Sequence, residues 1–223
     1  MLLCDVDGTL VDRQATFRGW ARELLRRYGA DRAEELRWIV LTDQAGHAPR
    51  AAFLEAVRRR YGLTDPVREL LRWYSDEAMP RHARPMPRAR ETLATMKGAG
   101  WILTAVTNGG TGQVGKLRSC GLLPMFNEVV LSEAEGFAKP APELFEIALR
   151  RCVGRAPSQQ DWVMGDNPRN DIWAGTRAGL RTVWVSWGRQ WPPFGYHPHL
   201  IAPSLPAAAA ALLAAAPART AGS

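Results

Sequence analysis

The sequence predicts an α/β protein: a parallel sheet covered on both faces by helices, with an all-helical domain inserted directly after the first strand. Three observations carry this reading. From residue 88 onward, short apolar runs alternate with helical segments, the pattern of strands joined by crossover helices. Residues 15–77 hold four helical patterns and no strand pattern. Each strand-like run then ends in a polar cluster, the place where parallel sheets bind ligands.

The first element is Leu2-Leu3-Cys4-Asp5-Val6-Asp7-Gly8-Thr9-Leu10, an apolar run ending in two carboxylates two residues apart. The period of two along a strand puts Asp5 and Asp7 on one side. Two crowded carboxylates need a cation or a shared proton, which suits a metal site where one attacks and the other moves protons. The same stretch also reads as a strand followed by an ordinary Asp-Gly turn.

Phe17, Trp20, Ala21, Leu24, Leu25 and Tyr28 recur at helical spacing, and Gly29 stops that helix. Leu36 to Leu41 belong to a second helix, ending near Thr42–Gly46. A third runs over about 51–61, and a fourth starts at Thr64-Asp65-Pro66 and reaches about Glu77. Met79-Pro80, Pro85 and Pro87 are expected to break the chain into an extended linker. The division expected is therefore a core of residues 1–12 and 84–223 and a helical cap of residues 13–83.

Within the core, 88–97 reads as a helix and 101–106 as a strand ending in Thr107-Asn108-Gly109-Gly110. Residues 113–119 read as a helix, 128–131 as a strand, and Lys139-Pro140-Ala141-Pro142 opens a helix to about Arg151. The strand 161–164 ends in Gly165-Asp166-Asn167-Pro168-Arg169-Asn170-Asp171, and a helix to Ala178 precedes the strand 182–186. A last short strand is expected at 199–201, and an Ala-rich surface helix at 206–216.

Charge is unevenly placed. Arg13 to Arg90 holds 17 arginines against 10 acids and no lysine, while the remainder has 12 basic and 12 acidic residues. An arginine-rich solvated face accounts for this; a positive field drawing in anionic substrates is the sharper reading. The basic pI and nine tryptophans raise nucleic-acid binding, but Trp101, Trp162 and Trp184 fall in strands and Trp20 and Trp38 in helical stripes, so they read as core. No apolar run is long enough to span a membrane, no signal peptide is evident, and Cys4, Cys120 and Cys152 have no metal or redox spacing. A cytoplasmic protein with reduced thiols is expected.

Four clusters thus converge on one sheet edge: Asp5/Asp7, Thr107/Asn108, Lys139 and Asp166/Asp171. Asp5-x-Asp7-Gly-Thr9, Thr107-Asn108-Gly109, Lys139-Pro140-x-Pro and Gly165-Asp166-x-x-x-x-Asp171 together resemble, in order and spacing, the four motifs of the haloacid dehalogenase-like superfamily. The resemblance covers nearly the whole chain and implies a Rossmann-like three-layer core with an inserted cap. It also implies Asp5 as nucleophile, Asp7 as acid and base, and Mg²⁺ bound by the Asp5 carboxylate, the Asp7 main-chain carbonyl and Asp166. Lys139 would offset charge, Thr107 and the Asn108 amide would hold phosphoryl oxygens, Asp171 would orient Lys139 or a metal-bound water, and Thr9 would support the turn. An all-oxygen donor set suits Mg²⁺, and a phosphoryl group needs an in-line nucleophile with its charge offset.

The scaffold alone does not select the chemistry. Dehalogenating members typically lack an acid two residues after the nucleophile, and phosphonate-cleaving members and sugar-phosphate mutases use a cap lysine. Asp7 and the lysine-free cap therefore favour hydrolysis of a small anionic phosphate monoester, with dehalogenase, mutase and polynucleotide-end phosphatase as the alternatives. His47 and Arg50, in the break after the second cap helix, are the candidates to contact the leaving group. Trp187-Gly188-Arg189-Gln190-Trp191-Pro192-Pro193-Phe194 leaves a strand end and either borders the cleft or covers the core. Oligomeric state is not legible.

Overall fold

The computed structural model describes residues 1–46 and 48–215. Six strands form one all-parallel sheet: β1 (Leu2–Cys4), β2 (Leu103–Thr107), β3 (Glu128–Leu131), β4 (Trp162–Gly165), β5 (Arg181–Val185) and β6 (Leu200–Ala202), in the order β3-β2-β1-β4-β5-β6. Chain order runs outward on both sides of β1, whose Leu2 sits in register with Leu103 on one side and Trp162 on the other. That reversal is where a crevice opens beyond the carboxyl ends of the strands.

Alternation along the strands divides the core. Leu2, Cys4, Leu103, Ala105, Trp162 and Met164 face one apolar cluster, while Leu3, Val106 and Val163 face another. The short strands are buried on both faces, so they read as continuous apolar runs.

Among the described residues, five α-helices follow β1 before the chain returns to Val11 at Pro85: α1 (Arg13–Arg27), α2 (Ala33–Asp43), α3 (Arg50–Tyr61), α4 (Val67–Trp73) and α5 (Met79–His82). They share a separate cluster in which Trp20 contacts Phe17, Phe53 and Tyr74 at ring separations of 5.4, 5.8 and 4.8 Å. Asp12 caps α1 by accepting the Ala15 N–H. The chain enters and leaves this segment side by side: Asp12 N–H donates to the Arg84 carbonyl and Val11 bridges Pro85.

Pro80 does not break the chain as expected. A π turn, Tyr74–Ala78, joins α4 to α5, with Met79 N–H donating back to the Tyr74 carbonyl. The turn offsets the helical ladder so that Pro80 falls in the first turn of α5, where its missing N–H is tolerated. The extended linker begins only at Ala83.

The remaining helices are α6 (Ala89–Gly98), α7 (Gly112–Ser119), α8 (Ser132–Glu135), α9 (Glu143–Val153), α10 (Ala174–Arg177) and α11 (Leu205–Ala215). A second π turn, Pro168–Trp173, precedes α10 and is capped by the Asn167 side chain. The Ala-rich α11 is not merely superficial: Leu205, Ala208, Ala209 and Leu212 are buried against the core. Its apolar side is short-chained, so its packing face was hidden in an alanine run. Residue 216 lies outside the described residues. Among the described residues no helix is long and apolar enough to cross a membrane, and the three cysteines are free.

Candidate active site

The crevice is a cleft of ≈ 590 Å³ lined from both sides, by Asp5, Asp7, Thr107, Asn108, Lys139, Asp166 and Asp171 from the sheet edge and by Arg13, Arg50 and Tyr74 from the helices. All four clusters expected at the strand ends therefore meet.

Lys139 sits at the centre. Its Nζ donates to Asp5 Oδ1 at 2.6 Å and Asp171 Oδ1 at 2.8 Å, and it is 5% exposed. Burial alone would depress its pKa, but the Asp171 and Asp5 carboxylates outweigh that and hold it charged. The Asn108 side chain fixes the Lys139 main chain reciprocally, accepting its N–H and donating to its carbonyl, both at 2.8 Å. Asp171 is fixed in turn by the Asn167 N–H. The Asp5 Oδ2 accepts the Thr9 hydroxyl at 2.8 Å, so Thr9 touches the site directly.

Asp7 points elsewhere. Its Oδ2 accepts Lys116 Nζ at 2.5 Å and Gln113 Nε2 at 2.9 Å, while Oδ1 is buried with no hydrogen-bond partner. Burial pushes its pKa up, but Lys116 and Gln113 outweigh this and hold it below the usual carboxylate range. Gly8, directly after Asp7, is required by its surroundings: its φ is +95° and a Cβ there would lie 2.7 Å from Asp166 Oδ1.

Carboxylate oxygens of Asp5, Asp166 and Asp171 lie within 4.8 Å of one another. Burial and the charge of Asp5 push Asp166 up to about 6, against Arg189 and Lys139, and the same two causes raise Asp171. One ammonium does not satisfy three crowded acids, and a hard divalent cation with oxygen ligands fits that excess. Asp171 is the most buried of the three acids, whereas Asp5 and Asp166 open further to the cleft, and the Asp7 carboxylate is turned toward Lys116. The fit therefore favours Asp5 and Asp166 carboxylates, with Asp7 offering only its main-chain carbonyl.

Lys116, Gln113, Arg13 and Tyr74 were not among the expected site residues, and Arg189 was named only within the loop that either borders the cleft or covers the core. Arg189 donates to Asp166 Oδ2 at 3.1 Å, so the loop after β5 borders the cleft; Trp187 Nε1 also donates to the Gly8 carbonyl. The scarcity of lysine was the available signal for Lys116, since two of the chain's three lysines face the cleft. Arg50 lines the cleft as expected, and His47 lies outside the described residues.

The pattern of the haloacid dehalogenase-like hydrolase family matches residues 2–185. The chain belongs to that family. It is 33% identical over 186 residues to a phosphoserine phosphatase of Thermus thermophilus, covering 79% of this chain and 71% of that protein. It is 38% identical over 104 residues to a glyceraldehyde 3-phosphate phosphatase of Methanothermobacter thermautotrophicus, covering 46% of this chain and 45% of that protein; the chain thus matches less than half the length of that relative. The fold of this haloacid dehalogenase-like hydrolase is also that of the magnesium-bound HAD-hydrolase YfnB of Bacillus subtilis, with a TM-score of 0.81, 24% identity, and coverage of 95% of this chain and 97% of that one.

The raised Asp166 makes a pH-dependent prediction. The charged acid cluster destabilises the metal-free fold increasingly as pH rises through about 6; a bound cation removes that penalty, and protons compete with it below. Mg²⁺ is therefore expected to raise the melting temperature more at pH 7.5 than at pH 5.0, measured by thermal melts at one Mg²⁺ concentration. Equal shifts at both would exclude Asp166 as a ligand.

Proposed function

We propose that this hydrolase cleaves small phosphate monoesters through an aspartyl-phosphate on Asp5, with residues 13–83 acting as a cap over a core of residues 1–12 and 84–223. The observation that carries this is the pairing of a buried, lysine-fixed carboxylate, Asp5, with a second acid two residues on that lines the same cleft. In the first step an Asp5 oxygen forms a bond to phosphorus as the ester oxygen departs. Asp7 delivers to that oxygen the proton that it recovers from water in the second step. In the second step Asp7 accepts a proton from water as the water oxygen bonds to phosphorus, and Asp5 is released. Lys139, the Thr107 hydroxyl and the Asn108 main-chain N–H offset and orient the phosphoryl oxygens. Mg²⁺ held by Asp5, Asp166 and the Asp7 carbonyl would neutralise phosphoryl charge.

Asp7 has no use when a halide leaves, and residues 13–83 contain no lysine for phosphonate cleavage or mutase chemistry. The two relatives above are both named as phosphatases, which supports the same choice. The test is a panel of phosphate esters assayed with Mg²⁺, beside a haloacid. Asp166→Ala is expected to cut kcat by at least about 100-fold without lowering the melting temperature, because acid repulsion is relieved. Full activity after EDTA treatment would remove the metal from this reading; haloacid turnover without ester hydrolysis would overturn the phosphatase.

A further inference from the structure

On the helical side of the cleft, two guanidinium groups share one buried carboxylate. Asp43, 2% exposed, accepts Arg13 Nη2 at 2.9 Å on Oδ2 and Arg50 Nη1 at 2.6 Å on Oδ1. Both arginines line the cleft that holds Asp5 and Lys139. Arg50 is fixed further by the rings of Phe53 and Tyr74, 5.3 and 5.2 Å from its guanidinium carbon. Arg13 packs against Gly46, where a Cβ would lie 2.0 Å from the guanidinium. Tyr74 lines the same cleft as Asp5 and Asp7.

Other arginines of these helices also pair with acids. Arg58 and Arg59 hold Glu55, and Arg60 holds Glu35, but none of these residues lines the cleft. They are solvated pairs of small energetic consequence. At Asp43 the acid is buried instead, two cations share one anion, and each planar fork keeps N–H groups beyond those given to Asp43.

We propose that Arg13 and Arg50, held by Asp43, bind a carboxylate on the leaving group, so that the substrates are small phosphate monoesters of hydroxy acids. This rests on the phosphatase reading above. The cluster carries one net positive charge, which matches a carboxylate; a second phosphate would bring nearly two negative charges. A carboxylate accepts two parallel N–H bonds from such forks. Because Asp43 and the aromatic rings already order the arginines, little side-chain freedom is lost on binding.

The test compares kcat/KM for 3-phosphoglycerate and glycerol 3-phosphate, which differ in a carboxylate against a hydroxymethyl group. Fructose 1,6-bisphosphate against fructose 6-phosphate reads a second phosphate as the anion, and para-nitrophenyl phosphate reads the phosphatase alone. The wild-type protein is expected to favour 3-phosphoglycerate by about tenfold or more. Arg50→Gln should reduce that preference to less than about threefold, expressed mainly in KM. Arg50→Lys, which keeps a cation beside Asp43 and loses the fork, should do the same and serves if Arg50→Gln fails to fold. Equal kcat/KM for the first pair, with para-nitrophenyl phosphate turned over, would overturn the carboxylate clamp and leave the phosphatase standing. So would a preference confined to the bisphosphate, or one that survives both variants. If none of the five esters is hydrolysed, the phosphatase reading falls and this inference falls with it.

Discussion

Asp5→Asn protein will hydrolyse no phosphate ester at a measurable rate, a loss of at least about 10⁴-fold in kcat. Lys139 and Thr9 contact separate oxygens of Asp5; the amide keeps its one acceptor oxygen for Lys139 and turns its NH2 to donate to the Thr9 hydroxyl, so the geometry is nearly preserved. What disappears is the anionic lone pair that would bond to phosphorus, and no neighbouring group replaces it: Asp166 and Asp171 are committed to Arg189 and to Lys139 and Asn167. Stability should not fall, because one of three crowded charges is gone. A companion measurement on the wild-type protein separates the chemistries. A single turnover in ¹⁸O-water should label inorganic phosphate and leave the Asp5 peptide unlabelled by mass spectrometry, since water attacks phosphorus. Label in the Asp5 carboxylate would instead mark attack on an alkyl ester of Asp5 and sink the phosphatase.

Lys139→Met should cost stability as well as activity. The ammonium stands between two buried carboxylates, and removing one member of such a cluster leaves uncompensated charge, worth roughly 3–5 kcal/mol. For a chain of this size that corresponds to a fall of roughly 6–20 °C in melting temperature, read in metal-free protein at neutral pH. Adding Asp171→Asn removes one of the stranded charges and should recover part of the loss without recovering activity. An unchanged melting temperature in Lys139→Met would show that the ammonium is not what neutralises the cluster.

The strand ends were legible because each combines a short apolar run with a polar cluster, and the parallel order of the sheet then brings those clusters together. Asp5, Thr107 and Asp166 could be placed from that alone; Lys139, beyond β3 and α8, needed the family resemblance, which also added their order. Lys116 and Gln113 could not, because they sit on a helix more than a hundred residues from Asp7 and nothing local marks them as its partners. Arg13 was hidden among 17 arginines; only the burial of Asp43 separates it from the solvated ones. Pro80 misled for a related reason. A proline reads as a helix breaker locally, and the π turn that accommodates it also carries Tyr74 to the cleft wall. No role was expected for the side chain of Asn108, which holds the Lys139 main chain, a pairing across thirty-one residues.

The apolar cluster of the helices, built on Trp20, Phe53 and Tyr74, shares no residue with the two clusters that pack the sheet. Substitutions in unconnected clusters add nearly independently. Substitutions at Phe17, Leu54 or Val57 are therefore expected to leave the packing of the strand ends that hold Asp5 and Lys139 nearly unchanged. Under the proposals above, what is recognised and how it is cleaved would rest on separately packed parts of one chain.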